Sequence, residues 1–229
     1  MEVLNNIPVK LDLEAVFKQM QVRNKRESMG KSIQELIEIA RLIAKPKAIY
    51  EVSYVDNKNE DSLDIGGVRF TSRVLRVNLD KVGRVFPFVV TCGRELDEIV
   101  FPSHEFIKSY YLDQIKETVL VLAMSYLEDY LRKKYALGRM STMAPGEGSM
   151  EDWPITQQKE LLSIFSNVEE LIGVKLTEAL LMVPLKSVSG IFFPTRVEFI
   201  SCQLCPREAC EGRKAPYDTD LAKKYRQKI

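Results

Sequence analysis

The spacing of hydrophobic residues predicts both helices and a sheet. Residues 32–44 carry a broad apolar stripe at helical spacing, and residues 106–135 repeat apolar residues at the same period. Residues 48–55 alternate between polar and apolar, which is typical of a half-buried strand. Residues 85–91 form a continuous apolar run, which is typical of a buried strand. The middle of 106–135 is apolar all round, so we expect this helix to be central and buried.

Short polar segments mark where the predicted elements begin and end. Ser32 and Glu35 have the spacing of a capping box, which predicts the start of the helix over 32–44. Gly173 predicts the end of a later helix. The polar, basic stretch 21–30 predicts a loop. In the N-terminal part we also expect an edge strand at 7–9, a helix over 11–20 capped by Asp12, and a turn at Gly66-Gly67. Further along we expect one or two helices from Ile155 to Gly173, and either a strand or a helix at 176–183. Short strands at 191–193 and 197–200 follow, and the residues after Tyr217 form a final helix or are disordered.

Composition narrows the class of protein. The 229 residues are 45% hydrophobic, which suffices for a sizeable core. The 33 basic and 32 acidic residues give a net charge of +1, so bulk charge indicates neither a nucleic-acid nor a membrane-surface partner. No apolar run approaches the ~20 residues of a membrane span, and the N-terminus does not resemble a secretory signal. We therefore expect a cytoplasmic protein, divided into a domain over 1–200 and a cysteine-containing tail over 201–229.

One irregular stretch stands out as a candidate binding loop. Residues 138–154 contain three glycines, two prolines and the only tryptophan. Loops held by a rigid scaffold often carry binding groups, and Arg139 could clamp an anion because its planar guanidinium suits a carboxylate. A second small-residue segment, Ser187-Val188-Ser189-Gly190, would allow a backbone to approach a ligand closely.

Three motifs in this region resemble one family. They are Ala144-Pro145-Gly146 in the loop, the run from Ile172 to Glu178 after a helix, and the run from Met182 through Pro184 to Gly190. Their order and approximate spacing are similar to those of the reactivation domain of cobalamin-dependent methionine synthase, most specifically over residues 139–195. The resemblance implies an α+β fold with a twisted, mainly antiparallel sheet and helices packed around it.

The resemblance also implies a function. In that family the domain binds S-adenosylmethionine, docks over a cobalamin-carrying domain and assists the reductive remethylation of inactive cobalamin. A corrinoid-binding protein or a cobalamin-dependent methyltransferase would then be the partner. The remaining modules of methionine synthase are missing, so the chain by itself is not that enzyme. The carried-over cofactor-binding residues are Arg139, Ala144, Pro145, Gly146, Glu178, Ser187, Ser189 and Gly190.

Glu147 departs from the family pattern. It follows Gly146 where the family usually has an aromatic residue. A carboxylate at this position would place a negative charge near the carboxylate of S-adenosylmethionine.

Three clustered cysteines suggest a metal. Cys202, Cys205 and Cys210 have the spacing C-x2-C-x4-C, and clustered thiols in a reducing compartment favour metal binding over disulfides. Three interpretations stay open. An iron–sulfur cluster would use these thiolates with Cys92, an external ligand or a second chain as the source of the fourth ligand. A structural zinc would take its fourth ligand from Cys92 or from a non-cysteine group. In the third interpretation the thiols are free.

Two functional hypotheses follow. The first is an accessory protein that binds S-adenosylmethionine, a corrinoid protein or both, and assists cobalamin reactivation, with an iron–sulfur site as a sensible source of the electron. The alternative is a non-enzymatic, metal-stapled module that binds a corrinoid protein or a methyltransferase. An independent methyltransferase is disfavoured because no glycine-rich nucleotide loop follows a strand.

Overall fold

The computed structural model describes residues 1–20, 27–149, 151–197, 199–210 and 212–226. Within them the chain forms seven α-helices and ten strands in a mixed order. The helices are α1 (Leu13–Gln19), α2 (Glu27–Ile43), α3 (Arg73–Asn78), α4 (Phe106–Lys134), α5 (Gln158–Ser163), α6 (Val168–Ile172) and α7 (Thr219–Arg226). The strands are β1 (Glu2–Leu4), β2 (Lys47–Tyr50), β3 (Ser53–Asp56), β4 (Ser62–Ile65), β5 (Val68–Thr71), β6 (Arg84–Thr91), β7 (Met140–Met143), β8 (Lys175–Leu176), β9 (Met182–Val183) and β10 (Ser187–Pro194).

The strand β6 is the centre of the sheet. It pairs antiparallel with β2 and β3 along one edge and with β10 along the other. The sheet is extended by β1 beside β2, by the β3–β4–β5 meander, and by β7 beside β10, all antiparallel. A separate hairpin joins β8 and β9. This arrangement confirms the predicted α+β fold with a mainly antiparallel sheet.

Both faces of the sheet are covered because side chains alternate along β6 and β10. Phe86, Phe88 and Val90 pack with Phe192 against α1, α2 and α4. On the other face, Val85 and the β10 residues Ile191 and Phe193 pack against α3, α5 and α7, and Val89 packs with α6. The predicted central helix is therefore the main cover of one face. None of the helices in the described ranges is long and apolar enough to cross a bilayer.

Several local predictions are confirmed and others are wrong. Asp12 caps α1, since its Oδ1 accepts the Ala15 N–H at 2.8 Å, and Gly173 ends α6 in the left-handed region. However, α2 begins at Glu27, so residues 27–30 are helical instead of a loop, while 21–26 lie outside the described residues. Ser32 therefore lies inside the helix, where its hydroxyl donates to Ser28 O instead of forming a capping box.

The strand predictions failed mostly at the ends. The chain turns between Tyr50 and Ser53, so the strand predicted at 48–55 is two strands, β2 and β3. The N-terminal strand is β1, not 7–9. The ambiguous segment 176–183 is mostly the turn of the β8–β9 hairpin, and β10 extends to Pro194 without a further strand in the described part of 197–200.

The N-terminal strand is tied to α4 by one carboxylate. Glu2 accepts hydrogen bonds from Tyr50 Oη at 2.7 Å, from Tyr130 Oη and from Lys134 Nζ. Burial raises the pKa of Glu2, but the hydrogen bonds from Lys134, Tyr130 and Tyr50 outweigh it and lower that pKa to about 2. A carboxyl with a lowered pKa stabilises the fold above its unfolded pKa of about 4.3, and this contribution is lost as the pH falls towards 2.

We therefore expect Glu2→Gln to lower the free energy of unfolding at pH 7 by about 1 kcal/mol, as the loss of charge-assisted hydrogen bonds at a partly exposed site implies. The difference from wild type should shrink between pH 4.5 and 2, which urea titrations at several pH values would measure. Glu27→Gln, which breaks an exposed pair with Lys31, is the control and should cost less. An equal loss for both variants would contradict the assignment.

Candidate functional site

The loop that follows β7 is closed into a tight turn, which we call the 144–149 loop. Gly146 has φ +80°, a conformation that L side chains rarely adopt. Its N–H donates to Trp153 O at 2.8 Å, and Glu147 N donates to Ala144 O at 3.1 Å. A Cβ at Gly146 would lie 2.9 Å from Ile155 Cδ1. The loop is thus packed against the segment that leads into α5.

The predicted small-residue segment lies beside this loop. Gly190 of β10 pairs with Phe88 of β6, and a Cβ at Gly190 would lie 2.6 Å from Met143 O. Glycine is therefore needed here so that β7 and β10 can approach one another. Ser189 is buried, and its Oγ accepts a hydrogen bond from Gln158 Nε2 at 3.2 Å. The structure thus places Gly190 beside Met143, the residue that precedes the loop, and cofactor binding by Ala144, Pro145, Gly146, Ser189 and Gly190 stays a prediction.

Two buried polar atoms next to the loop have no hydrogen-bond partner. They are Gln158 Oε1 and Trp153 Nε1. An unpaired buried polar atom costs about 1–3 kcal/mol and is uncommon in native proteins. One is an acceptor and the other a donor, so a ligand with both kinds of group would satisfy them. Gln158 was missed from the sequence, because a glutamine at the start of a helix gives no sign that it is buried.

Three of the predicted cofactor residues lie apart from the loop. Arg139 is at the opposite end of β7, where its carbonyl accepts the Thr195 N–H at 3.0 Å. A four-residue strand spans about 13 Å, so Arg139 is distant from Gly146. Glu178 is exposed in the turn of the β8–β9 hairpin. Ser187 Oγ lies 2.7 Å from Pro184 O and 2.9 Å from Thr91 Oγ1, so it is engaged within the protein.

The side chain of Glu147 points to the C-terminal segment, by which we mean the described part of residues 201–226. Its Oε2 accepts a hydrogen bond from Ser201 Oγ at 3.3 Å, and its Oε1 lies 4.0 Å from Lys214 Nζ. A Cβ at Gly148 would lie 3.1 Å from Ser201 O. The negative charge that departs from the family pattern is therefore partly compensated by this segment, which lies directly against the loop.

The C-terminal segment is fastened to the same core as the loop. Leu204 and Ala222 are buried in one cluster with Trp153. Arg226 pairs with the buried carboxylate of Asp152 at 3.1 Å and also donates to Leu204 O at 2.9 Å. Burial raises the pKa of Asp152, and the opposing attraction of Arg226 only partly offsets this rise. Residues on both sides of the predicted boundary between a domain over 1–200 and a tail over 201–229 share this cluster. The boundary itself stays a prediction.

An arginine organises the backbone around the clustered cysteines. The guanidinium of Arg213 donates to the carbonyl oxygens of Cys202 and Cys205, both at 3.4 Å, and to that of Ala215 at 3.2 Å. Cys202 Sγ accepts the Lys214 N–H at 3.5 Å. Within the described ranges no three His, Cys, Asp or Glu side chains are placed to hold a metal ion. Metal binding by Cys202, Cys205 and Cys210 therefore stays a prediction, which iron and zinc analysis of anaerobically purified protein would test.

Cys92 belongs to a different environment. It packs in the cluster on the α4 face of the sheet, whereas Leu204, next to the clustered cysteines, packs on the opposite face. Burial raises the pKa of the Cys92 thiol to about 12, with a further contribution from Asp97. Cys92 is thus a small buried hydrophobe. The sheet separates it from the clustered thiols, for which it was considered as a fourth metal ligand.

We expect a clear order of thiol reactivity. Iodoacetamide at pH 8 should modify exposed Cys210 first and Cys202 and Cys205 more slowly, because these two are partly buried. Cys92 should stay unmodified until the protein is unfolded. Peptide mass spectrometry over a time course measures the order. Modification of Cys92 in the native protein at the rate of Cys210 would contradict the structure.

Comparison with known proteins agrees with this geometry. Residues 124–211 match the family model described as vitamin B12 dependent methionine synthase, activation domain. No curated protein sequence matches the chain significantly. Among solved structures, the MetH reactivation domain bound to AdoHcy is similar in fold, with a TM-score of 0.56 and 16% sequence identity over 88% of this chain and 81% of that one. The resemblance seen in the sequence is therefore confirmed as a match of residues 124–211 to this family model, and the chain shares the fold of the solved reactivation domain.

Proposed function

We propose that this chain assists the reductive reactivation of a cobalamin carried by a partner protein, with S-adenosylmethionine bound beside the 144–149 loop. The main support for a cofactor site here is that two buried atoms, Gln158 Oε1 and Trp153 Nε1, have no hydrogen-bond partner. The family match over 124–211 and the shared fold support the function. The solved neighbour is bound to AdoHcy.

The chain would hold and orient the cofactor, which supplies the methyl group when bound. Gln158 would accept a hydrogen bond from it and Trp153 would donate one. Ser189 holds the Gln158 amide in place, and Gly146 and Gly190 keep the loop against β10. Since Glu147 is engaged with Ser201 and Lys214, its charge is drawn away from the ligand. Arg139 and Glu178 are left out of this set because they lie elsewhere.

An exposed apolar surface supports a protein partner. Leu181, Val183 and Leu185 are exposed on and after the β8–β9 hairpin, next to the end of β10 that β7 does not cover. Lys186 fixes the neighbouring backbone through ion pairs to Asp113 and Glu117 of α4. Clustered exposed apolar side chains mark interaction surfaces. A corrinoid-binding protein is the partner that we propose for this surface.

Two adjacent glutamines provide a matched test of the cofactor site. Gln158→Met removes the unpartnered acceptor at similar volume, and we expect it to weaken S-adenosylmethionine binding about tenfold, as the loss of one buried hydrogen bond to a ligand implies. Gln157 instead exchanges two hydrogen bonds with the Thr71 backbone, at 2.6 and 2.7 Å. Gln157→Met should reduce stability and leave the affinity unchanged. Titration calorimetry measures the affinity, and thermal unfolding measures the stability.

The outcomes separate the hypotheses. Saturable binding that Gln158→Met weakens and Gln157→Met does not would support the cofactor site. Absence of binding by the wild-type protein would refute the cofactor site and would favour the alternative of a module that binds a corrinoid protein or methyltransferase without S-adenosylmethionine.

A further inference from the structure

A large cavity lies at the end of β7 that is remote from the 144–149 loop. It has a volume of about 820 Å³, within the range of roughly 300–1,000 Å³ typical of small-molecule sites. It is lined by the end of α3, by the Lys81–Gly83 turn and by one side of α7. Arg139, just before β7, and Pro194–Val197, at the end of β10, complete the walls. We call it the α3–α7 cavity.

Three cationic side chains line this cavity, from Lys81, Arg139 and Arg196. None of the three donates a side-chain hydrogen bond to another residue in the described part of the chain. The one acidic lining residue, Asp218, is already engaged, because its Oδ1 accepts the N–H groups of Asp220 and Leu221 at the start of α7. The cavity therefore has an excess of positive charge with unused donors.

Several uncharged polar groups of the cavity already have partners within the protein. Asn78 donates to Val74 O and accepts from Tyr225 Oη at 3.0 Å. Gln203 accepts the Ile200 N–H at 3.0 Å, and Thr195 donates to Val197 O. A ligand would consequently be held mainly by the three cations, and this favours an anion with more than one negative charge.

The rest of the lining is apolar and aromatic. Phe199 and Tyr225 stack with ring centroids 5.4 Å apart, and Val77, Val82 and Leu221 complete the surface. Such a surface suits the flat or apolar part of an organic molecule. The charge and the lining together indicate an organic phosphate instead of a bare inorganic ion.

We propose that the α3–α7 cavity binds a phosphate-bearing metabolite of nucleotide size, with its phosphates on Lys81, Arg139 and Arg196 and its apolar part against Phe199 and Tyr225. This site is separate from the proposed S-adenosylmethionine site beside the 144–149 loop and does not depend on it. Tyr225 and Leu221 belong to the C-terminal segment, so the ligand would also hold that segment against α3, since a ligand of the folded state stabilises what it contacts.

The test uses the full chain with fluorescent N-methylanthraniloyl-ADP, followed by anisotropy and by displacement with ADP, inorganic pyrophosphate and S-adenosylmethionine. We expect saturable binding that ADP displaces better than pyrophosphate, because only ADP reaches the apolar wall. Lys81→Met and Arg196→Met should each weaken binding about tenfold. The control Arg132→Met removes an exposed arginine of α4 outside the cavity and should have no effect.

Three results would overturn the proposal. The first is that neither ADP nor pyrophosphate binds saturably. The second is that Arg132→Met weakens binding as much as Lys81→Met and Arg196→Met do. The third is that S-adenosylmethionine displaces the fluorescent nucleotide as effectively as ADP does. A second measurement is tryptic cleavage at Lys223 and Lys224, which ADP should slow at least threefold in wild type and not in Arg196→Met. Cleavage unchanged by saturating ADP would contradict the predicted coupling to the C-terminal segment.

Discussion

Trp153→Ala is expected to lower the free energy of unfolding by about 3–5 kcal/mol, the usual cost of emptying the space of a buried tryptophan. Trp153 is fully buried, and its ring meets Phe70 edge-on at 5.8 Å. It joins the sheet, α5 and the C-terminal segment in one cluster, so a cavity there removes contacts from all three. Urea denaturation at pH 7 measures the loss.

Trp153→Phe is the matched control for this prediction. It keeps an aromatic ring against Phe70 and removes the unpartnered indole N–H, so it should cost clearly less than the alanine variant. It should nevertheless weaken S-adenosylmethionine binding, because the proposed donor is gone. A loss below about 1 kcal/mol for Trp153→Ala would show that the cluster is not packed as described.

Arg226→Ala is expected to destabilise the protein by about 2 kcal/mol at neutral pH. Breaking a fully buried ion pair costs about 3–5 kcal/mol, and the smaller figure reflects the exposure of Arg226, whose side chain is 36% exposed against 6% for Asp152. The variant leaves the Asp152 carboxylate buried without its cation. The C-terminal segment should then become more susceptible to proteolysis, because Arg226 also holds Leu204 O.

The pH dependence of this variant follows from the sign of the Asp152 shift. Burial raises the pKa of Asp152 in the folded protein while Arg226 lowers it, so removing Arg226 should raise it further. A carboxyl with a raised pKa destabilises the fold increasingly as the pH rises above its unfolded value of about 3.9. The difference between variant and wild type should therefore be small near pH 4 and largest at pH 7 to 8.

Lys223→Ala provides the control for this experiment on the same helix. It breaks an exposed pair with Asp220, so it should have little effect at any pH. A difference between Arg226→Ala and wild type that stayed constant from pH 4 to 8 would refute the account of Asp152.

The parts of the fold that could be predicted are those specified by local pattern. The long apolar run of β6 and the helical period of α4 each extend over enough residues to determine the element. The cap at Asp12 and the end of α6 at Gly173 depend on neighbours within a few residues. The helix start at Ser32 was misplaced because a capping-box spacing occurs inside α2, where tertiary packing carries the helix further towards the N-terminus.

The site could be predicted only where the family motifs and the chain geometry coincide. Gly190 lies against Met143, which precedes the 144–149 loop, but Arg139 was grouped with that loop from the family resemblance, and it lies at the opposite end of β7. Gln158 is buried by the fold of α5 against β10, and the Asp152–Arg226 pair joins residues 74 positions apart. No local pattern contains such contacts, so they required the structure.

The most direct test of the proposed function is single-turnover remethylation of a cobalamin-binding fragment of methionine synthase, prepared in the cob(II)alamin form. With an excess of a low-potential reductant and S-adenosylmethionine, the visible spectrum should change to that of methylcobalamin at a rate that rises with the concentration of this chain. Gln158→Met should lower this rate at a subsaturating S-adenosylmethionine concentration, and Gln157→Met should not. A rate that is the same with and without the chain, under conditions where calorimetry shows S-adenosylmethionine bound, would contradict a role in reactivating that fragment.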